Sequence, residues 1–508
     1  MALFPTPTPR SLGELVADTD GAELVVGDPT TCVSGVTQDT RRLQPGDLFV
    51  AIPGLERNGL DFVPQAIARG AAAIAAEEAT DLPSLGAVAA TAPLVLVPSA
   101  RRALADLSAA FYRHPSKDLA VVGITGTDGK TSTAQLLSAI LEARGLRTGW
   151  LTTINTKIAH ELRPNAADHT TPEAPIVQRT LAEMRQARLD IAIIETSSHA
   201  LELERVRATR FQVAIFTNLS PEHLNFHGSF DAYRAAKRKL FERLPPHGLA
   251  VLNADDPSSE VMRVATTARV LTYGLEKPAD FTGTDVGLSP MGTTFTLQPA
   301  DLRIQTQLVG RFNVSNWLAA YAAATHFGAT PEALACAASS QAPVPGRMNL
   351  VAAGQPFAVV VDFAHTPQAL EKALDTVRSL IGGRLLLAFG LAGGRDHANR
   401  PVMGALAAAK ADFFVITTDD PGHEDAAAIA NQIVAGARSA GGSFRIELDR
   451  RNAIRLLFER ARAGDAVLLA GKGHEQRMVV GDQRLPWNDA RAAAEVLAEL
   501  GFRTQAVP

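Results

Sequence analysis

Apolar residues in this chain fall into short continuous runs, separated by stretches where they recur every three or four positions, the alternation expected of buried strands and amphipathic helices. The clearest example is 119–125, an apolar β-type run that leads through a glycine-rich loop into a segment where Leu136, Leu137, Ile140 and Leu141 recur at helical spacing before Gly145 ends it. Further strands are expected at 191–194, 213–216 and 249–253, so the middle of the chain reads as a mostly parallel, doubly wound α/β sheet. A threonine-rich, β-like insertion follows at about 264–309. Residues 1 to about 113 mix short strands such as 47–52 with helical stretches such as 62–75, a small α/β unit. Strands at 358–362, 385–389, 413–417 and 466–470 alternate with helical segments, the pattern of a third, Rossmann-like unit. Breaks at 114–116 and in the proline-rich stretch 341–347 divide the chain into 1–114, 115–343 and 344–508.

Composition changes this picture only at its margins. A length of 508 residues suits about three separate cores. The formal net charge of −4 argues against a mainly electrostatic nucleic-acid binder, so nucleic acid is not an expected partner and any phosphate site must be local. The two cysteines, Cys32 and Cys336, point to a reducing compartment and exclude a disulfide framework or a cysteine-built metal site; any metal should have oxygen and imidazole ligands. The first residues lack the basic start and apolar core of a signal peptide, and no apolar run approaches the ~18 residues of a membrane span, so no membrane insertion is expected and the cytoplasm is the default.

The candidate chemistry sits where open α/β sheets place ligands, just past the carboxyl ends of strands. After 119–125 comes Gly126-Thr-Asp-Gly-Lys-Thr-Ser132. The general phosphate-loop spacing fails, with five residues between Gly123 and Gly129 and two between Gly126 and Gly129. The strand–loop–helix setting nevertheless converges the amides of 126–130 on one point, which favours an anion. Lys130 adds a positive charge, and Thr131 or Ser132 can reach a phosphate-bound Mg²⁺; a plain surface turn is the competing reading. Glu195 ends a buried run and needs a cation, a helix cap or several donors. His223 is a metal ligand or a structural hydrogen-bonding residue. Lys237 belongs to a basic amphipathic stretch and, on composition alone, reads as part of a solvated face. Asp419 and Asp420 suit a substrate ammonium or simply a turn. Gly471-Lys-Gly-His-Glu475 reads as another anion or substrate loop with Lys472 as its contact.

Taken together, the glycine loop, Glu195-Thr-Ser-Ser-His199, Thr217-Asn-Leu-Ser-Pro-Glu-His-Leu-Asn-Phe-His-Gly228, Asp362-Phe-Ala-His-Thr-Pro367 and Gly471-Lys-Gly-His-Glu475 closely resemble the Mur ligases, most of all the MurE type. Gly310-Arg-Phe-Asn313-Val-Ser-Asn316, Gly346-Arg347 and the segment 39–51 fit the same family, so the resemblance runs nearly the whole chain in order. It implies an N-terminal domain for a UDP moiety, a central P-loop-like ATPase domain and a C-terminal Rossmann-like domain for an incoming amino acid. It also implies ATP and Mg²⁺ as cofactors, and UDP-N-acetylmuramoyl-dipeptide and a free amino acid as partners, in a monomer serving peptidoglycan precursor synthesis. By the same resemblance Gly126, Thr127, Asp128, Gly129, Lys130, Thr131 and Ser132 hold the ATP phosphates. Thr131 and Glu195 serve one Mg²⁺ and His223 a second; Lys237 is the lysine that these enzymes carbamylate. Asn313, Arg347 and Asp362 fall on the adenine-nucleotide side, and Thr170, Thr171, Ser197 and Arg205 around the nucleotide-peptide. Thr40 and Arg41 mark the N-terminal substrate segment. Arg395 is expected at the amino acid's α-carboxylate, with Asp419 and Glu475 near its amino groups and Asp420 and Gly471 among the other substrate-binding residues.

The chain also departs from the family. Diaminopimelate-adding members carry Asp-Asn-Pro-Arg where this chain has Asp419-Asp420-Pro421-Gly422. A glycine supplies no guanidinium for a distal carboxylate and Asp420 adds negative charge, so lysine or ornithine is the expected amino acid. Asp128 replaces the usual asparagine, Gly394 stands where an acid is expected, and Asn58-Gly-Leu60 replaces Asp-Gly-His. A relative acting on another acceptor and a non-catalytic nucleotide-binding protein remain as other readings.

Overall fold

The computed structural model describes residues 8–502, apart from 55–56, 79–81, 166–168, 290–291 and 343. The opening residues 1–7, read above for a signal peptide, and Pro343 of the proline-rich break therefore lie outside the described residues. Three main sheets carry the chain.

The central sheet has Ala120–Thr125 in its middle, with Ile191–Glu195 hydrogen-bonded on one side and Val213–Phe216 on the other, all parallel. Thr148–Leu151 continues one flank, and Leu249–Asn253 and Arg269–Gly274 the other. These strands are apolar at nearly every position because helices cover both faces. On one face Leu136, Leu137 and Ile140 of the Lys130–Ala143 helix pack with Trp317 and Leu318; on the other, Val177, Leu181, Leu240 and Phe241 close the core. Register sets function here. Glu195 pairs with Ile124 and Phe216 with Thr125, so the glycine loop, Glu195 and the 217–223 loop leave the sheet along one edge.

The threonine-rich stretch does not form a separate insertion. Arg269–Gly274, Phe281–Ser289, Gly292–Gln298 and Leu302–Thr306 extend the central sheet as its far edge. Its inward residues Phe295, Leu297 and Ile304 are fully buried against the same core.

The N-terminal sheet runs Glu23–Val26, Leu94–Val97, Ala73–Glu77, Asp47–Val50, Gly35–Thr37. It corrects the helical reading of 62–75, since the helix covers only Val63–Ala68 and Ala73–Glu77 is a strand between two parallel neighbours. Alanine favours helix by intrinsic propensity, yet Gly70 turns the chain at φ +85° and the run beyond it is buried as a central strand. The third sheet runs Asn349–Leu350, Ala358–Asp362, Ala466–Ala470, Leu385–Phe389, Phe413–Ile416, Phe444–Ile446, parallel except at its first strand. Among the described residues no helix is long and apolar enough to cross a membrane.

Candidate active site

The loop after the central strand is built by two glycines in backbone regions that favour glycine. Gly126 has φ +150° and Gly129 φ +85°. A Cβ on Gly126 would lie 1.9 Å from Thr217 Oγ1, and one on Gly129 2.5 Å from Asn316 Oδ1. The loop is clamped by its neighbour: Thr217 Oγ1 and Asn218 Nδ2 donate to Asp128 O at 2.7 and 3.0 Å, and Asp128 N donates to Asn218 Oδ1 at 3.0 Å. Thr127 N donates to Asn218 O, and the Thr127 hydroxyl meets Tyr233 OH at 3.1 Å. Asp128 Oδ2 is buried with no hydrogen-bond partner among the described residues. Lys130 opens the helix and folds back, its Nζ donating to Gly126 O at 3.0 Å and Thr127 O at 2.6 Å. Thr131 and Ser132 are buried in the same first turn. Replacing Gly126 by alanine should displace this clamp. The expected result is a loss of about 1–3 kcal/mol of stability, checked by thermal melting.

Glu195 is fully buried at its strand end; its carboxylate accepts from Thr153 N at 3.2 Å and Thr153 Oγ1 at 2.8 Å, with no ion pair among the described residues. A buried carboxylate with two neutral donors suits a cation, and since Thr131 and the His223 imidazole line the same cleft the donor set is one that Mg²⁺ accepts. The histidine stands at φ +56°, its Nε2 3.4 Å from Glu222 Oε1 and its ring 4.7 Å from that of His199. Burial lowers the pKa of His223, and burial together with the neighbouring His223 and His227 pushes His199 down to about 3.

Lys237 corrects the solvated-face reading. It is 1% exposed, its Nζ donates to Gly126 O at 2.7 Å, and it lies 4.5 Å over the Tyr233 ring. Burial, reinforced by the nearby Lys130 charge, lowers its pKa well below the lysine range, which shifts it toward the neutral amine.

The residues expected on the substrate side divide into two groups. Thr170 and Ser197 line the central cleft, whereas Thr171 and Arg205 stand behind it as supports. The Thr171 hydroxyl donates to Glu195 O at 2.7 Å and accepts from Ser197 N at 3.0 Å. Buried Arg205 donates to Thr171 O at 3.0 Å and pairs with Glu173 at 2.7 Å. Thr40, bonded to Gln65 Oε1 at 2.7 Å, and Arg41, held by Asp39 at 2.9 Å, line a separate cavity of 670 Å³. Of the residues expected on the nucleotide side, Arg347 has its guanidinium 4.6 Å over Phe363, and both line the cleft. Asp362 and Asn313 do not line it. Asp362 accepts from Met348 N and Ala364 N at 2.7 and 2.9 Å, and Asn313 donates to Val309 O at 2.9 Å, so both fix backbone around the cleft.

Lys472 corrects a second reading, that of an anion contact. Its ammonium is fully buried, 2.7 Å from Asp420 Oδ1, 2.5 Å from Glu475 Oε2 and 3.7 Å from Asp419 Oδ1. The loop's lysine thus neutralises acids from within. Burial raises Asp419 and pushes Glu475 up to about 7, with Lys472 opposing both shifts.

Sequence reasoning missed Glu222 and His365 as a pair. His365 Nδ1 faces Phe363 O at 2.8 Å and Nε2 faces Glu222 Oε1 at 3.3 Å, so an imidazolium with two N–H groups fits. Burial alone would lower His365, but the Glu222 hydrogen bond and charge raise it; burial alone would raise Glu222, but His365 and His223 hold it well below the usual carboxylate range. Both residues lay inside quoted motifs, yet nothing in either motif announced the other.

The cavities adjoin. His169 lines both the 670 Å³ cavity and a central cleft of 860 Å³ that holds the glycine loop, Glu195, His223 and Lys237. Phe363, His365, Arg395 and Glu475 line both that cleft and a narrow third cavity bounded by Asp419, Asp420 and Gly471.

Comparison with known proteins bears on the whole of this track. Residues 32–112 match the family model described as Mur ligase family, catalytic domain; 124–324 match Mur ligase middle domain; and 346–473 match Mur ligase, glutamate ligase domain. A UDP-N-acetylmuramyl-tripeptide synthetase from Deinococcus radiodurans is 44% identical, with 93% of this chain and 96% of that protein covered. A UDP-N-acetylmuramoyl-L-alanyl-D-glutamate–2,6-diaminopimelate ligase from Syntrophomonas wolfei is 42% identical over 92% of this chain and 94% of its own. A solved structure of a ligase with the same printed activity superposes with a TM-score of 0.67 at 29% identity, covering 97% of this chain and all of that one. Three family models in chain order, and relatives this similar over nine-tenths of its length, show that the chain belongs to the Mur ligase family of ATP-dependent ligases and, within it, to the MurE type.

Proposed function

We propose that this protein joins a free amino acid to the D-glutamate carboxylate of UDP-N-acetylmuramoyl-L-alanyl-D-glutamate, using ATP and passing through an acyl phosphate. The observation that carries this reading is the adjacency of the three cavities, which share His169 on one side and Phe363, His365, Arg395 and Glu475 on the other, with the glycine loop in the middle one. An acceptor with a nucleotide at one end and a peptide at the other can lie from Thr40 and Arg41, past His169 and Thr170, to Lys130. The amino acid then enters from the Arg395 side.

A carboxylate is a poor electrophile, so it must first be phosphorylated. The loop amides and Lys130 neutralise charge on the moving phosphoryl group. Thr131, Glu195, His223 and a carbamylated Lys237 would hold Mg²⁺, which supplies electrostatic stabilisation of the transferring phosphate. Carbamylation needs the neutral amine: its lone pair attacks CO₂, the nitrogen loses one proton, and the neutral amine becomes an anionic carbamate. Burial of Lys237 supports that step. The incoming amine attacks the acyl carbon deprotonated, phosphate leaves, and an amide remains. Closure of the third domain over the central cleft would limit hydrolysis of the activated acid. With UDP-linked and ATP substrates the reaction belongs to the cytoplasm, and a single chain carries every residue named.

Lysine or ornithine is the proposed amino acid. Around the third cavity Arg395 is a cation available for the α-carboxylate, and four acids, Asp396, Asp419, Asp420 and Glu475, line it against the internal ammonium of Lys472, which pairs with Asp420 and Glu475. A distal ammonium fits this field better than a distal carboxylate. Phosphate release measured with the UDP-dipeptide acceptor should show kcat/KM at least about tenfold higher for lysine or ornithine than for meso-diaminopimelate. Preference for diaminopimelate would overturn the specificity and leave the ligase; no amino-acid-dependent release with any of the three would overturn the function.

A further inference from the structure

The loop that carries Arg395 and the loop that carries Asp419 and Asp420 belong to different strand ends, and something must hold them in register. Their backbones touch: Gly393 N donates to Asp420 O at 2.8 Å, and a Cβ on Gly393 would lie 1.9 Å from Pro421 O. Behind them stands Arg400, whose side chain is fully buried and makes a two-point pair with Glu424, NH1 to Oε1 at 2.5 Å and NH2 to Oε2 at 2.8 Å. Each partner also grips the Arg395 loop. Arg400 NH2 donates to Ala392 O at 3.2 Å, and Gly394 N donates to Glu424 Oε2 at 2.9 Å.

We propose that Arg400 and Glu424 are a positioning pair for the amino-acid site, stapling the 391–396 loop to the 419–424 loop so that Arg395 faces Asp419 and Asp420 across the third cavity. The inference rests on the proposed function for the identity of what enters that cavity. Gly394, standing where the family has an acid, gives Glu424 the backbone contact through which it acts at φ +70°. The guanidinium hydrogen bond, followed by the Gly394 amide, holds the Glu424 carboxyl near 2, as expected of a carboxylate that stays ionised to accept from both.

Glu424→Gln is the test, because an amide offers one accepting oxygen where the site uses two. At saturating ATP and acceptor, its KM for the amino acid should rise about tenfold, with kcat and the KM values for ATP and acceptor within about twofold of the parent. Arg400→Met should shift the same KM in the same direction. Unchanged amino-acid KM in both variants, or a parallel rise in all three KM values, would overturn the staple. Amide hydrogen exchange needs no substrate: residues 391–396 should exchange faster in Glu424→Gln while 126–130 do not change, and equal protection of 391–396 would overturn the staple. A parent enzyme that shows this protection yet releases no phosphate with any amino acid would sink the function alone, leaving the staple supported.

Discussion

Lys130→Ala is expected to lower the rate of amide formation by about 10³-fold or more, with the fold intact. The side chain spans the mouth of the loop, and its ammonium donates to Gly126 O and Thr127 O, which leaves a third donor for a phosphate oxygen. Those two bonds also pre-orient the charge, so little reorganisation is needed when the phosphoryl group moves. Alanine removes the charge, leaving Thr127 O to solvent and Gly126 O to its remaining donor, Lys237 Nζ, which is why melting should shift little while phosphate release collapses. Full-speed amide synthesis by the variant, measured by product formation and not by ATP loss alone, would remove the basis of the proposed mechanism.

Replacing Lys237 by methionine is expected to cost about 10²–10³-fold in activity, although the residue lies on a helix and makes no exposed contact. Methionine fills the same apolar space over Tyr233, so packing is largely kept. What is lost is the amine, and with it the carboxylate that CO₂ would create. A second measurement separates that role from a simple hydrogen bond to Gly126 O. Equilibration of the parent protein with ¹³C-bicarbonate should give a carbamate carbonyl resonance that is absent from the methionine variant. Acidification should erase it, since carbamate forms only from the unprotonated amine. No labelled resonance, together with an active variant, would rule out this role for Lys237.

Much of the architecture was legible because its signals are local. A strand covered by helices on both faces must be apolar at successive positions, so 213–216, 249–253, 358–362, 385–389 and 466–470 coincide with the observed strands. The helix reading of 62–75 failed for the complementary reason. Alanines carry helix propensity but no periodic pattern, and pairing with Asp47–Val50 and Leu94–Val97 overrode it. The loop motifs were legible as chemistry too, since glycines, a lysine and hydroxyls at a strand end suit an anion wherever the sheet later puts them.

The sequence by itself determined which segments form the sheets and which strand ends carry reactive groups, because periodicity and turn chemistry act over a few neighbouring residues. Only the tertiary structure decided what those groups meet. Lys237 reaches a carbonyl 111 residues away and is buried by it, and Glu222 finds His365 across 143 residues. Lys472 turns inward to Asp420, 52 residues distant, instead of outward to a ligand. Strand order sets these meetings, and with them the desolvation and charge that fix each group's protonation; neither quantity belongs to any short stretch of chain.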